Sequence, residues 1–171
     1  MEAMFRDLKA DEIDVRIAQV TDKGLSLLLY KDARVDQNIL DEAVGEYNWQ
    51  REHEFKDGKL YCKVSLWDKE KQQWIGKEDV GTESFSEAEK GQASDAFKRA
   101  CFNWGIGREL YTAPFIWIPA DRCNITKNSQ GKATCKDKFA VEAIEIKNKI
   151  ITGLAIKNCR TNERVFAGKR N

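Results

Sequence analysis

Two adjacent cations stand inside an apolar helical pattern in the stretch "GQASDAFKRACFNWGIGRELY", residues 91–111. On a helix, Lys98 and Arg99 project to either side of one face, and Phe102 lies between them. Lys90 stands two turns before Lys98 and adds a third cation on a neighbouring part of the surface. We call these four residues the basic strip. Cations neutralise phosphates and an aromatic ring stacks on a base, so the strip has the chemistry of a nucleic-acid site.

A second interpretation of the same cations stays open. Adjacent charged residues on the outer face of a helix are most often only a solvated surface. The spacing of Lys98 and Arg99 alone does not separate a binding site from such a surface.

The helix that carries the strip is predicted from its apolar residues. Four of them are separated by four, three and four positions and form one stripe: Ala93, Phe97, Ala100 and Trp104. This stripe predicts packing on a sheet, which turns Lys98 and Arg99 outward. Ser86 and Glu89 have the spacing of a capping box, which predicts the helix start, and Gly105 and Gly107 predict its end.

A second candidate cation lies in the strand pattern "YCKVSLW". Alternation places Tyr61, Lys63, Ser65 and Trp67 on one face and Cys62, Val64 and Leu66 on the core face. A cation between two aromatic rings on an open strand face is suited to gripping a single strand, although such rings more commonly pack beneath a helix. Lys63 is therefore a candidate contact.

The remaining elements predict an α+β fold. "VRIAQV" and "LSLLLYK" form an N-terminal hairpin around "TDKG", and a helix follows from Asp36 to Val44 with Val35, Ile39 and Ala43 as its apolar stripe and Gly45 as its cap. "NWQREHEF", "LYCKVSLW" and "WIGKEDVG" predict an antiparallel meander, on which the long helix packs as a β-β-β-α core. The alternating segment after the polar run "RCNITKNSQGKATCKDK" predicts a small C-terminal β addition.

Length and composition limit the possible classes. The 171 residues fit a single domain, with a core over residues 12–118 and a loop and β extension over residues 119–171. With 29 basic and 28 acidic residues, binding to a polyanion must come from clustered cations. The chain has no long apolar run and its start lacks the apolar core of a secretion signal, so we expect a cytoplasmic protein without a membrane partner.

Catalytic chemistry has weak support in the sequence. The five cysteines include no C-x-x-C pair and are interpreted as free thiols, while Cys123 and Cys135 could share a metal but lack a nearby histidine. His53 has no nucleophile motif to activate, and no phosphate-binding loop occurs. The triplet from Glu145 to Lys147 has the shape of a metal-nuclease motif without a clear partner aspartate. We expect no cofactor, no metal and no enzyme activity.

Three stretches together resemble a known family. "KDARVDQNILDEAVGEYNW", "KEDVG" and "EKGQASDAFKRACFNWGIGRELY" are similar to the annealing domain of Rad52-type single-strand annealing proteins, closest to their phage Sak-type relatives. The resemblance spans residues 12–118. It implies a β-β-β-α core that assembles into rings or curved filaments, holds single-stranded DNA in a positive groove, and needs no nucleotide.

Site residues carry over by position. Arg34 matches a groove arginine, Lys98 and Arg99 match the paired cations of the inner groove, and Lys90 matches a lysine two turns earlier. Phe102 replaces an arginine of the eukaryotic pattern, so stacking is expected where those members contact a phosphate. Lys63 matches a basic strand residue loosely.

The resemblance also implies a biological setting. The expected function is annealing of complementary strands in recombination and repair, in a bacterial host cell and with a phage or prophage origin. The expected partners are single-stranded DNA, further copies of the chain, and a single-strand-binding protein or exonuclease. The alternatives are a module for RNA or double-stranded nucleic acid, a metal-dependent nuclease, and a protein that binds an acidic partner chain.

Overall fold

A computed structural model of the chain describes residues 5–82 and 88–170, with side chains for residues 5–82 and 91–170. The fold is α+β, as predicted. It has two α-helices, α1 (Ala33–Val44) and α2 (Ala88–Asn103), and short 3₁₀ helices at Ala10–Glu12, Arg108–Thr112 and Ala120–Arg122. The strands are β1 (Asp14–Thr21), β2 (Gly24–Tyr30), β3 (Trp49–Lys56), β4 (Lys59–Asp68), β5 (Gln73–Val80), β6 (Ile116–Pro119), β7 (Ile125–Lys127), β8 (Ala133–Cys135), β9 (Phe139–Lys147), β10 (Ile150–Asn158) and β11 (Glu163–Lys169).

The chain divides into two compact units. The first unit comprises Ala33–Gly107 together with the N-terminal segment up to Arg6, and the second comprises Asp7–Asp32 with Arg108–Asn171. The division into a single domain with a core at residues 12–118 stays a prediction. In the described part of the chain, no helix is both long enough and apolar enough to cross a membrane.

The first unit is the predicted meander with its helices. Its antiparallel sheet has the order β3-β4-β5. Asp57 and Gly58 join β3 to β4 with positive φ angles of 51° and 74°, the conformation that a tight two-residue hairpin turn requires. The core face of β4 is the one predicted, since Cys62, Val64 and Leu66 are all buried.

Helix α1 begins at Ala33, three residues before the predicted start at Asp36. Its buried residues are Asp36, Ile39 and Leu40, so the predicted stripe was wrong at Ala43, which is exposed. The larger Leu40 side chain takes the place on the buried face, because burying it removes more apolar surface from water. Gly45 caps the helix as predicted, with φ +86° and its N–H donating to the Asp41 carbonyl at 3.0 Å.

Helix α2 packs on β4 and β5. Its fully buried residues are Ala96, Phe97, Ala100 and Cys101. Ala93 and Trp104, the ends of the predicted stripe, are half-buried. The predicted capping box lies outside the described residues at Ser86, and outside the described side chains at Glu89.

The two glycines end α2 as predicted. Gly105 has φ +97°, its N–H donates to the Phe102 carbonyl, and the Ile106 N–H donates to the Cys101 carbonyl at 3.1 Å. This is the Schellman arrangement, in which a left-handed glycine closes the last turn. The buried Ile106 side chain then anchors the chain as it leaves the helix.

The second unit contains a six-stranded sheet of order β11-β10-β9-β1-β2-β6 and the two-stranded pair β7-β8. The N-terminal hairpin β1-β2 and the C-terminal strands are both present as predicted. They belong to one sheet, because β9 pairs with β1 at Ala140 and Asp14. The core of this sheet includes Leu25, Leu27, Ile116, Ile118, Val141 and Ile156.

Candidate nucleic-acid interface

The end of β5 holds α2 in place. Thr82 donates two hydrogen bonds to Asp95 Oδ2, from its N–H at 2.9 Å and from Oγ1 at 3.1 Å, and Gln92 Nε2 donates to the Gly81 carbonyl at 3.3 Å. Gly81 lies against the helix backbone, since a Cβ there would stand 2.2 Å from the Gln92 carbonyl oxygen. The absence of a side chain at Gly81 therefore allows this close approach.

The side of α2 that faces away from the sheet carries three residues of the basic strip. Successive helical residues are turned by about 100°, so Phe102 lies between Lys98 and Arg99, opposite the buried Ala96 and Ala100. All three strip side chains are half-buried. The structure thus brings Lys98, Arg99 and Phe102 together on one face, as the sequence predicted.

Arg99 has a partner that the sequence analysis missed. Its Nε lies 3.0 Å from Oδ2 of Asp95, four residues earlier on the helix, and both side chains remain partly exposed. The same carboxylate oxygen accepts the hydrogen bonds from Thr82. Asp95 therefore neutralises part of the strip and orients Arg99, and the i, i+4 spacing of opposite charges was the signal that would have revealed it.

Two further cations flank α2 from the sheet. The Arg51 guanidinium on β3 lies 4.7 Å from the centre of the buried Phe97 ring, and Lys77 Nζ on β5 lies 4.6 Å from the Trp104 ring. Lys77 also donates to the Asn103 carbonyl at the helix end at 3.3 Å. Sequence reasoning did not single out either residue, because it is the register with the buried Val64 on β4 that places both on the helix face.

Lys63 lies on the other side of the sheet from α2. It is exposed, and the register places Glu52 on β3 and Glu78 on β5 beside it. On the same face, Lys56 Nζ hydrogen-bonds Glu78 at 2.8 Å, which raises the pKa of Lys56, and stands 5.3 Å from the Tyr61 ring. The structure therefore separates Lys63 from the basic strip and surrounds it with acidic residues.

Of the other two predicted contacts, Arg34 and Lys90, the structure describes the side chain of Arg34 alone. Arg34 is the second residue of α1 and is exposed. Lys90 belongs to the first turn of α2, and its side chain lies outside the described residues.

The remaining candidate groups have ordinary surroundings. His53 is exposed, with Nε2 3.1 Å from the Ala93 carbonyl oxygen, and all five cysteines are free. Burial raises the pKa of the Cys62 thiol to about 11, so it is protonated at neutral pH. Within the described side chains of residues 5–82 and 91–170, no three His, Cys, Asp or Glu side chains come together as a metal-ligand set, whether near Cys123 or near Glu145.

Comparison with known proteins adds one finding. Residues 1–132 match the family model described as Rad52/22 family double-strand break repair protein. The matched region contains Arg34, Lys63 and the whole basic strip, and it ends before β8. No curated protein matches the chain.

Proposed function

The chain belongs to the Rad52/22 family of double-strand break repair proteins, and from this premise we propose that it binds single-stranded DNA along the basic strip and Arg34. Membership in the family makes it a DNA repair and recombination protein of the single-strand annealing type. The observation that carries the proposal is the geometry of α2, which buries one face on the sheet and holds Lys98, Arg99 and Phe102 on the opposite face.

The proposed mechanism is holding rather than bond chemistry. Lys98 and Arg99 bind backbone phosphates, which leaves base edges free to test a complementary strand. Phe102 stacks on a base between them. Before DNA binds, the ion pair with Asp95 orients the Arg99 guanidinium. When DNA binds, a phosphate competes with Asp95 for Arg99.

We extend the proposal to the setting of the reaction. Annealing proceeds without nucleotide hydrolysis, because cation–phosphate contacts and base pairing supply the free energy. Copies of the chain assemble into a ring or filament, which lines up successive strips along one strand. The protein acts in the cytoplasm of a bacterial cell on strands that an exonuclease exposes or a single-strand-binding protein covers.

The direct test uses two complementary labelled oligonucleotides with the protein, without nucleotide or metal. Duplex formation is expected to accelerate, and the acceleration is expected to fall as salt rises, because phosphate contacts release counterions. Absence of acceleration by the folded protein at low salt contradicts the proposal.

Removing the charge of Asp95 is expected to strengthen the binding of single-stranded DNA rather than weaken it. Asp95→Asn is expected to strengthen single-stranded DNA binding about threefold, because it removes one negative charge from the strip while its Oδ1 still accepts from Thr82. Fluorescence anisotropy of a labelled oligonucleotide measures the affinity. Glu70→Gln, the same charge change in the β4-β5 turn, serves as the control, and equal gains in both variants would assign the effect to net charge alone.

Lys63 tests which face of the sheet holds DNA. Lys63→Glu is expected to change the affinity for single-stranded DNA by less than about twofold, because Glu52 and Glu78 already make this face unfavourable for phosphates. The same anisotropy titration measures it. A loss as large as that of Lys98→Glu would place DNA on both faces of the sheet and contradict a site confined to the basic strip and Arg34.

A further inference from the structure

The second unit carries a stacked aromatic pair, one ring exposed and one half-buried, on one face of its six-stranded sheet. Phe115 directly precedes β6 and is 77% exposed, and Trp117 follows two residues later on the same face. Their ring centres are 6.4 Å apart and their planes differ by 18°. Ile116 and Ile118 alternate with them and are buried, so the two rings point away from the core.

Gly24 fixes the position of the Trp117 ring. On β2, a Cβ at Gly24 would stand 2.7 Å and 2.8 Å from the indole atoms Cζ2 and Cε2. The indole therefore lies over the bare backbone of Gly24, and Ser26, its partner in the register, is buried. The Trp117 ring is held before any ligand arrives, so stacking on it costs little ordering entropy.

A cation lies on the same face. Arg16 on β1 is exposed and pairs in register with Leu28, which is 47% exposed. The register of β2 with β6 ends at Leu27 and Ile116, and its continuation by one residue places Leu28 beside Phe115. Among the residues that the structure describes, Arg16 forms no ion pair or side-chain hydrogen bond. The nearest acid along the strand on this face is Asp14, one row further on beside Tyr30. The guanidinium is therefore available to a phosphate.

We propose that Phe115, Trp117 and Arg16 form a second contact surface for single-stranded DNA, the aromatic platform, on which bases stack while Arg16 binds the backbone. This inference rests on the proposed function and adds a site in the second unit. Nearly parallel rings suit a base, and Arg16, which lies across β2 from them and has no ion pair among the described residues, suits a backbone phosphate.

Phe115→Ala tests the platform, since a side chain with this exposure contributes little to the core. The variant is expected to bind oligo(dT) about five- to tenfold more weakly, the loss of roughly one stacked base. Its affinity for an abasic deoxyribose-phosphate oligomer of equal length is expected to be unchanged. Tyr47→Ala, which removes a 93% exposed ring from the first unit, is expected to bind both oligomers like the parent chain.

Each other outcome overturns the platform in a recognisable way. An equal loss on oligo(dT) and on the abasic oligomer would show that Phe115 acts without stacking. Unchanged binding by Phe115→Ala, with a smaller assembly in light scattering, would assign the surface to contact between copies of the chain. If the parent chain binds neither oligomer, the proposed function fails as well, whereas loss of the platform alone leaves parent binding and annealing intact.

Discussion

Replacing Lys98 with glutamate is expected to weaken single-stranded DNA binding at least tenfold and to abolish accelerated annealing. The change removes a cation from the centre of the strip and places a carboxylate where a phosphate would bind. It also places a second carboxylate three residues from Asp95, which makes the electrostatic potential along the strip more negative. Anisotropy titration and the two-oligonucleotide annealing assay measure the two effects.

Salt dependence identifies the lost contact as a phosphate contact. In the milder variant Lys98→Gln, the slope of log affinity against log salt is expected to become shallower by about 0.7, the value for one contact on a single strand. Lys69→Glu, which reverses an exposed cation in the β4-β5 turn of the same unit, is the matched control and is expected to lose less than about twofold. Parent affinity in a folded Lys98→Glu protein would contradict the role of the strip.

The position of the strip was predictable because it depends on local pattern. Phe97 and Ala100 recur at helical spacing, and this alone places Lys98 and Arg99 on the far side of α2. The strand alternation around Cys62 and Val64 was equally readable. Such patterns involve neighbours in sequence, so they need no knowledge of tertiary structure.

Properties that depend on distant partners were not predictable. The role of Lys63 depends on strand register with Glu52 and Glu78, and alternation alone does not give register. The pairing of Asp14 with Ala140, which joins the hairpin to the C-terminal strands, has no local signal in either segment.

The aromatic platform also could not be predicted from the sequence. Phe115 and Trp117 stand between two prolines, and the sequence predicts only an extended segment there. Their stacked arrangement depends on β6 pairing with β2 and on the missing side chain of Gly24 beneath the indole. In the sequence, Gly24 is explained by its place in the hairpin turn. That it also leaves room for the Trp117 ring is visible only in the folded structure.

Gly81→Ala is expected to lower the free energy of unfolding by about 2–3 kcal/mol, in the upper part of the range for overpacked sites. Gly81 is the glycine of the "KEDVG" stretch, and its φ is not in the left-handed region, so the cost is steric. The added methyl group would lie 2.2 Å from the Gln92 carbonyl oxygen and 2.8 Å from the Ala96 amide nitrogen. Both are backbone atoms, so relief requires α2 to move away from β5. Urea denaturation measures the change as a lower midpoint.

The control separates steric from conformational cost. Gly58→Ala adds a methyl group into open space at a φ of +74°, and it is expected to cost about 1 kcal/mol from backbone strain.

Because Thr82 and Asp95 join the same strand end to the helix, displacement of α2 in Gly81→Ala also shifts Arg99. Under conditions where both variants are folded, Gly81→Ala should therefore lose single-stranded DNA affinity while Gly58→Ala keeps it. If the destabilised Gly81→Ala protein binds single-stranded DNA as tightly as the parent chain, DNA binding by the strip does not depend on the packing of α2 against the sheet.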